Sequence, residues 1–155
     1  MTRTDPVDTM SLLVQVVSGL AERTADRLSA HGLMTVDLDV LRTVDLGPGL
    51  ATMSDLAAGA GLSAGGATRV VDRLVGRGLV TRDDCPTDRR VIRVDLTAAG
   101  RTALSAATAE HRQVLDEALA APLQRTGELA SLTAALHRLR DALELTRPAP
   151  NGGPA

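Results

Sequence analysis

Apolar residues recur along this chain at helical spacing over most of its length, with strand-like alternation in one short region. From 8 to 31 the positions Leu13, Val16, Val17, Leu20, Ala21, Thr24 and Leu28 mark one face of a helix. Gly32 reads as its stop. A second helix is predicted from Thr35 to Val44, burying Leu38, Val40, Leu41 and Val44, and Gly47-Pro48-Gly49 ends it. Thr52 and Asp55 have the spacing of a capping box, which opens a brief helix through about Ala58. After Gly59-Ala60-Gly61, Ser63 is placed to cap a further helix in which Ala67, Val70, Val71 and Leu74 share the inner face.

That fourth helix carries Arg69, Arg73 and Arg77 four residues apart, a spacing that groups side chains on one face. Gly76 and Gly78 bracket its end. Leu79–Arg82 and Val91–Asp95 then alternate as short strands, joined by a polar turn containing Cys85, Pro86, Asp88, Arg89 and Arg90. Thr97 is placed to cap a long helix to about Ala121, which Pro122 stops or kinks. Thr126 is expected to cap a last helix, where Leu129, Leu132, Leu136, Leu139 and Leu143 step by three and four. Such a seam suits a helix packed lengthwise on another. The tail RPAPNGGPA has the composition of a disordered segment. The class expected is mainly α with a small β-hairpin.

Composition sharpens this picture in two ways. With 155 residues, 44% of them hydrophobic, the chain is long enough for one domain with a real core, yet it has no Phe, Tyr or Trp. Leu, Val and Ala must fill that core, which favours close-packed helices. The formal charge of −2 argues against a polyanionic partner until its distribution is considered. Residues 62–101 hold eight arginines and five aspartates, a net of +3, while the remainder holds nine arginines and fourteen acids, a net of −5. A basic module sits on an acidic body. A short helix, a glycine-containing turn and a second helix with a basic stripe, followed by a hairpin with a basic tip, form a shape suited to gripping double-stranded DNA.

Other classes find little support. One cysteine excludes an internal disulfide, and His31, His111 and His137 are too far apart in sequence to suggest a zinc site, so no metal or cofactor is expected. No Ser-His-Asp order or phosphate loop points to an enzyme. The acidic start and the apolar run broken by Gln15 and Ser18 match neither a secretory signal nor a membrane span, so the cytoplasm is the expected compartment and no membrane partner is expected.

Residues 34–100 resemble the MarR family of winged helix-turn-helix regulators. Asp88-Arg89-Arg90 followed by Leu96-Thr97 matches the family's wing signature, and Thr68-Arg69-Val70-Val71-Asp72-Arg73-Leu74 with Arg77-Gly78-Leu79-Val80 matches its recognition helix. The resemblance implies a winged helix-turn-helix at 34–96, dimerisation helices at 8–31 and 97–146, and flexible ends at 1–7 and 147–155. It further implies a homodimer on a pseudo-palindromic operator, repressing a gene until a small ligand or an oxidant releases the DNA.

On this reading Ser63, Ala64, Gly65, Gly66, Thr68, Arg69, Arg73 and Arg77 form the helical part of the DNA surface, with Arg89 and Arg90 at the wing. Arg69 and Arg73 suit guanine edges, or one of them pairs with Asp72 or Asp88; Arg77 suits a phosphate. Arg90 suits a narrow minor groove, and Asp88 a structural role. Gly65 and Gly66 depart from the Ser or Thr often found there, so either the backbone approaches DNA or base contact shifts to Ser63, Thr68 and Arg69. Val16, Leu20, His31, Met34 and Leu38 are the candidate ligand pocket, without the aromatic residue usual near Leu38. Cys85 is a candidate redox switch beside the DNA contacts, and its neighbours pull its thiol both ways. A winged-helix protein-interaction module without DNA binding is the competing function.

Overall fold

The structure is a computed structural model, and it describes residues 5–47, 51–84, 92–124 and 127–143. Helix α1 runs Pro6–Ser29. It starts earlier than the apolar pattern predicts, because the Asp5 carboxylate accepts the Val7 N–H at 2.9 Å and Pro6 occupies the first turn. Pro6 and Val7 are therefore helical, not part of a loose arm. Gly32, at φ +66°, turns the chain into α2, Thr35–Leu46. A two-residue strand β1, Ala51–Thr52, leads into α3, Met53–Gly59, and α4 follows at Ala64–Gly76.

Strands β2, Val80–Asp84, and β3, Ile92–Leu96, are antiparallel, with Arg82 opposite Val94 and Asp83 opposite Arg93. The sheet has a third member that the sequence pattern does not reveal. β1 pairs with β3, Ala51 opposite Val94, giving the order β1-β3-β2. Two residues are too few to display alternation.

Helix α5, Ala98–Leu115, is capped by Thr97 as expected, its hydroxyl accepting the Gly100 N–H at 2.9 Å. The break expected at Pro122 takes another form. A π-helical turn, Asp116–Ala120, precedes α6, Ala121–Gln124, so the helical path continues through the proline. A widened turn accommodates a residue that lacks an N–H and crowds the preceding carbonyl. Helix α7, Glu128–Ala142, begins at Gly127 in the left-handed region at φ +68°, with no side-chain cap. Thr126, expected in that role, lies outside the described residues, as does the tail from 144 onward.

One core joins α1, α2, α3, α4, α5 and the sheet. Leu28, Leu38, Leu41, Leu56, Leu74, Val71 and Val94 are wholly or almost wholly removed from solvent. The inner face predicted for α4 is the buried one: Ala67, Val70, Val71 and Leu74. Helix α1 differs from expectation. Only Thr24 and Leu28 are buried, whereas Val16 and Val17 are 50% and 64% exposed. On α7, Leu136, Leu139 and Leu143 are likewise exposed.

Candidate nucleic-acid interface

The presentation of α4 depends on the turn before it. Thr52 and Asp55 close the expected capping box on α3: the Asp55 carboxylate accepts the Thr52 N–H at 3.0 Å, and the Thr52 hydroxyl accepts the Asp55 N–H at 3.3 Å. At its other end Gly61, at φ +63°, donates to Ala58, and Leu62 donates to Ala57. These two bonds satisfy the last carbonyls of α3 and turn the chain within one glycine. Ser63 then caps α4, its hydroxyl accepting the Gly66 N–H at 3.2 Å. Two capped helices joined by a glycine turn make the expected helix-turn-helix.

The outer face of α4 presents Ala64, Gly65, Arg69 and Asp72 to solvent, with Thr68 half-buried. The Thr68 hydroxyl donates to Ala64 O at 3.0 Å, which leaves its lone pairs outward as acceptors. A Cβ at Gly65 would meet nothing within 4 Å, so no packing contact demands glycine there.

The arginine stripe is divided. Arg69 is exposed and makes no hydrogen bond or ion pair among the described residues. Arg73 instead pairs with Asp37, whose carboxylate is 1% exposed and also accepts the Met34 N–H at 2.8 Å. Arg77 donates to Gly32 O at 2.6 Å and His31 O at 3.3 Å. Asp72 pairs with Arg82 of β2 at 2.8 Å, tying α4 to the hairpin. The sequence reading placed Arg73 and Arg77 outward, beside Arg69; in the structure both guanidinium groups are turned to the α1–α2 corner. Of the alternative partners for Arg73, Asp72 is engaged with Arg82, and Asp88 lies outside the described residues. Asp37 and Arg82 are the functional neighbours that sequence reasoning missed.

The hairpin base is anchored firmly. The Thr97 hydroxyl donates to Gly78 O at 2.7 Å and Leu79 O at 3.2 Å, and Arg101 donates to Leu96 O at 2.8 Å. Cys85, Asp88, Arg89 and Arg90, assigned to the tip, lie outside the described residues.

The five residues expected to line a ligand pocket differ in exposure, with Leu20 half-buried. Leu38 belongs to the core at 1% exposure, Val16 and Met34 are about half exposed, and His31 faces Glu110 at 3.5 Å. An open cleft of about 550 Å³ lies between α2 and α5, bounded by Arg42, Asp45, Leu46, Arg101, Leu104 and Thr108. Nearby, the His111 ring nitrogen Nδ1 is 3.3 Å from the buried Thr24 hydroxyl. Burial, with the Arg42 charge adding to it and Asp39 opposing, holds the His111 imidazole below its ordinary value of 6.5.

A sequence model described as the MarR family matches residues 31–91, the segment from the α1–α2 corner into the hairpin. A probable transcriptional regulator from Pseudomonas aeruginosa is 32% identical, with a TM-score of 0.65 over 81% of this chain and 93% of its own. The chain belongs to the MarR family. Other solved structures share its fold at lower identity. AbsC, a MarR family transcriptional regulator from Streptomyces coelicolor, superposes with a TM-score of 0.76 at 21% identity, over 94% of this chain and 100% of its own. CouR from Rhodococcus jostii RHA1, bound to p-coumaroyl-CoA, gives 0.73 at 23% identity, over 94% and 96%. No curated protein sequence matches the chain. The fold is thus the winged helix-turn-helix of the MarR family, whose matching members are transcriptional regulators. Among the described residues no helix is long and apolar enough to cross a membrane.

Proposed function

We propose that this MarR-family protein is a homodimeric, sequence-specific DNA-binding regulator that represses transcription from the cytoplasm until a small ligand releases it. The observation that carries this reading is Arg69, exposed and without a partner among the described residues on the outer face of the second helix of a helix-turn-helix. A guanidinium so placed suits the O6 and N7 acceptors of guanine in the major groove. Ser63, Ala64, Gly65, Gly66 and Thr68 surround it at the start of α4, and Arg89 and Arg90 are assigned to the adjacent minor groove at the wing.

What the fold leaves uncovered supports dimerisation. Val14 and Val17 of α1 and Leu136 and Leu139 of α7 are large apolar residues at 45% exposure or more, and a second protomer is the proposed cover. Two modules about 34 Å apart would read successive major grooves of a pseudo-palindromic operator. For the effector, CouR with its bound p-coumaroyl-CoA supports a small molecule, and the open α2–α5 cleft is a proposed location in addition to Val16, Leu20, His31, Met34 and Leu38.

The test is binding of the purified protein to DNA upstream of its own coding sequence, at two salt concentrations, with a random duplex as control. Selective binding of two protomers per site, falling steeply with salt as phosphate contacts require, is expected. The absence of binding to either duplex at low salt would overturn the reading in favour of a protein-interaction module, the function that the net charge of −2 and two engaged arginines of three would suit.

A further inference from the structure

Three residues spaced four apart do not stay on one line of a helix. At 3.6 residues per turn each step of four advances about 40° around the axis, so Arg77 is rotated about 80° from Arg69. On α4 that drift carries the stripe from the open face to the side facing the α1–α2 corner. There Arg73 meets the Asp37 carboxylate and Arg77 meets the carbonyls of His31 and Gly32.

We infer that Arg73 and Arg77 are positioning residues, which fix the angle at which α4 is presented, and that Arg69 alone of the three contacts nucleic acid. The inference rests on the proposed DNA binding for its functional consequence, but its structural half stands apart from it. Asp37 is the decisive partner. Its carboxylate is almost fully buried, one oxygen holding the Met34 N–H at the start of α2 and the other holding Arg73. Swinging Arg73 out to a phosphate would strand that buried charge, and uncompensated buried charges are strongly unfavourable. Arg77 satisfies carbonyls just beyond the end of α1 that have no helical partner, a role suited to a cation at a helix C-terminus. The same corner is linked to α5 through His31 and Glu110 at 3.5 Å. Helix α4 is therefore clamped to the elements that carry the proposed dimer contacts.

Salt dependence separates contact from positioning, since each lost phosphate contact lowers the slope of log affinity against log salt by about 0.9. The experiment measures that slope for the wild type, Arg69→Ala, Arg73→Gln, Asp37→Asn and the Arg73→Gln/Asp37→Asn pair, with amide hydrogen exchange of α4 in the absence of DNA. Arg73→Gln is expected to weaken operator binding at least ten-fold with an unchanged slope. Asp37→Asn, which alters a group with no access to DNA, should match it, and the double variant should lose no more than either single one. Arg69→Ala, which removes the proposed guanine contact, should weaken operator binding about ten-fold and narrow its preference over a random duplex, with α4 exchange unchanged. Exchange in α4 should quicken at least ten-fold in both corner variants. Arg73→Lys, which keeps a cation for Asp37, should restore affinity to within about five-fold of the wild type, and it serves in place of Arg73→Gln if that variant does not fold. A slope lowered by about one in either Arg73 variant, with Asp37→Asn binding and exchanging like the wild type, would overturn the inference. If the wild type binds no duplex, the DNA reading fails separately, and unchanged α4 exchange in the corner variants would then overturn the positioning role by itself.

Discussion

Gly100 of helix α5 packs directly against the backbone at the base of the hairpin. A Cβ on Gly100 would lie 1.9 Å from the Leu79 carbonyl oxygen, 2.9 Å from its carbon and 3.3 Å from Leu96 Cδ2. The first two atoms are backbone and cannot swing aside as a side chain would. The Leu79 oxygen is also committed, accepting the Thr97 N–H at 3.1 Å and the Thr97 hydroxyl at 3.2 Å. Relieving the clash means moving α5 away from Leu79, which breaks those bonds and disturbs the Thr97 cap.

Two effects compete in Gly100→Ala. Helix propensity favours alanine by about 1 kcal/mol. Overpacking costs about 1–3 kcal/mol, and a damaged cap about 1 more. A separation of 1.9 Å places the overpacking at the upper end, so the clash wins by about 2–3 kcal/mol. In a chain of this size 1 kcal/mol moves the melting temperature by about 2–4 °C, so a fall of about 4–12 °C is expected. Thermal melts of both proteins at one fixed concentration measure it, since association would otherwise shift the midpoint. A melting temperature equal to or above the wild type's would refute the argument that α5 and Leu79 are in closest approach at this residue.

Gly65→Ala is the contrasting case: with no atom within 4 Å of the new Cβ, it should raise the melting temperature by up to about 4 °C through helix propensity alone. If the backbone of the first turn approaches the operator, the same variant should bind it at least five-fold more weakly, and undiminished binding in a fluorescence titration would remove that role from the glycine. His111, whose folded pKa is lowered mainly by burial, contributes stability that is present above about pH 6.5 and lost as the pH falls through its folded value, because the unfolded chain then binds the proton more readily. His111→Gln should accordingly lose less stability than the wild type on acidification from about pH 7.5 to 5, and equal losses in paired melts would contradict the assignment. Leu136→Glu combined with Leu139→Glu should halve the mass measured by sedimentation at micromolar concentration, and an unaltered dimer would place the interface elsewhere.

Hydrophobic periodicity reports which face of a helix is apolar, not what covers it. For α2 and α4 the cover is the chain itself, so Leu38, Val40, Leu41, Val44, Ala67, Val70, Val71 and Leu74 were legible as core from spacing alone. The same reasoning applied to α1 and α7 found the apolar face correctly, yet Val16, Val17, Leu136 and Leu139 are exposed. Among the described residues nothing covers those positions, and in the proposed dimer a second protomer would do so. Strand β1 and the close approach at Gly100 were illegible for another reason. One is shorter than a period, and the other exists only once Leu79 has folded onto α5.

The arginines of α4 join both lessons. Spacing by four predicted a shared face, and the drift of about 40° per step is enough to divide it when a neighbouring element lies at its edge. The identity of that neighbour was not local information, since Asp37 lies 36 residues before Arg73. A partial signal was nonetheless present. Asp37 stands at the third position of α2, where its carboxylate caps the helix start through the Met34 N–H. It is also surrounded by the apolar positions Val36, Leu38 and Val40, of which Leu38 and Val40 are core. A carboxylate that caps a helix while sinking into a core calls for hydrogen-bonding and charge partners there, and in a chain without lysine arginine is the main source of them. That requirement, more than the regular spacing of the stripe, commits Arg73, the His31 and Gly32 carbonyls commit Arg77, and Arg69 is left without a partner among the described residues.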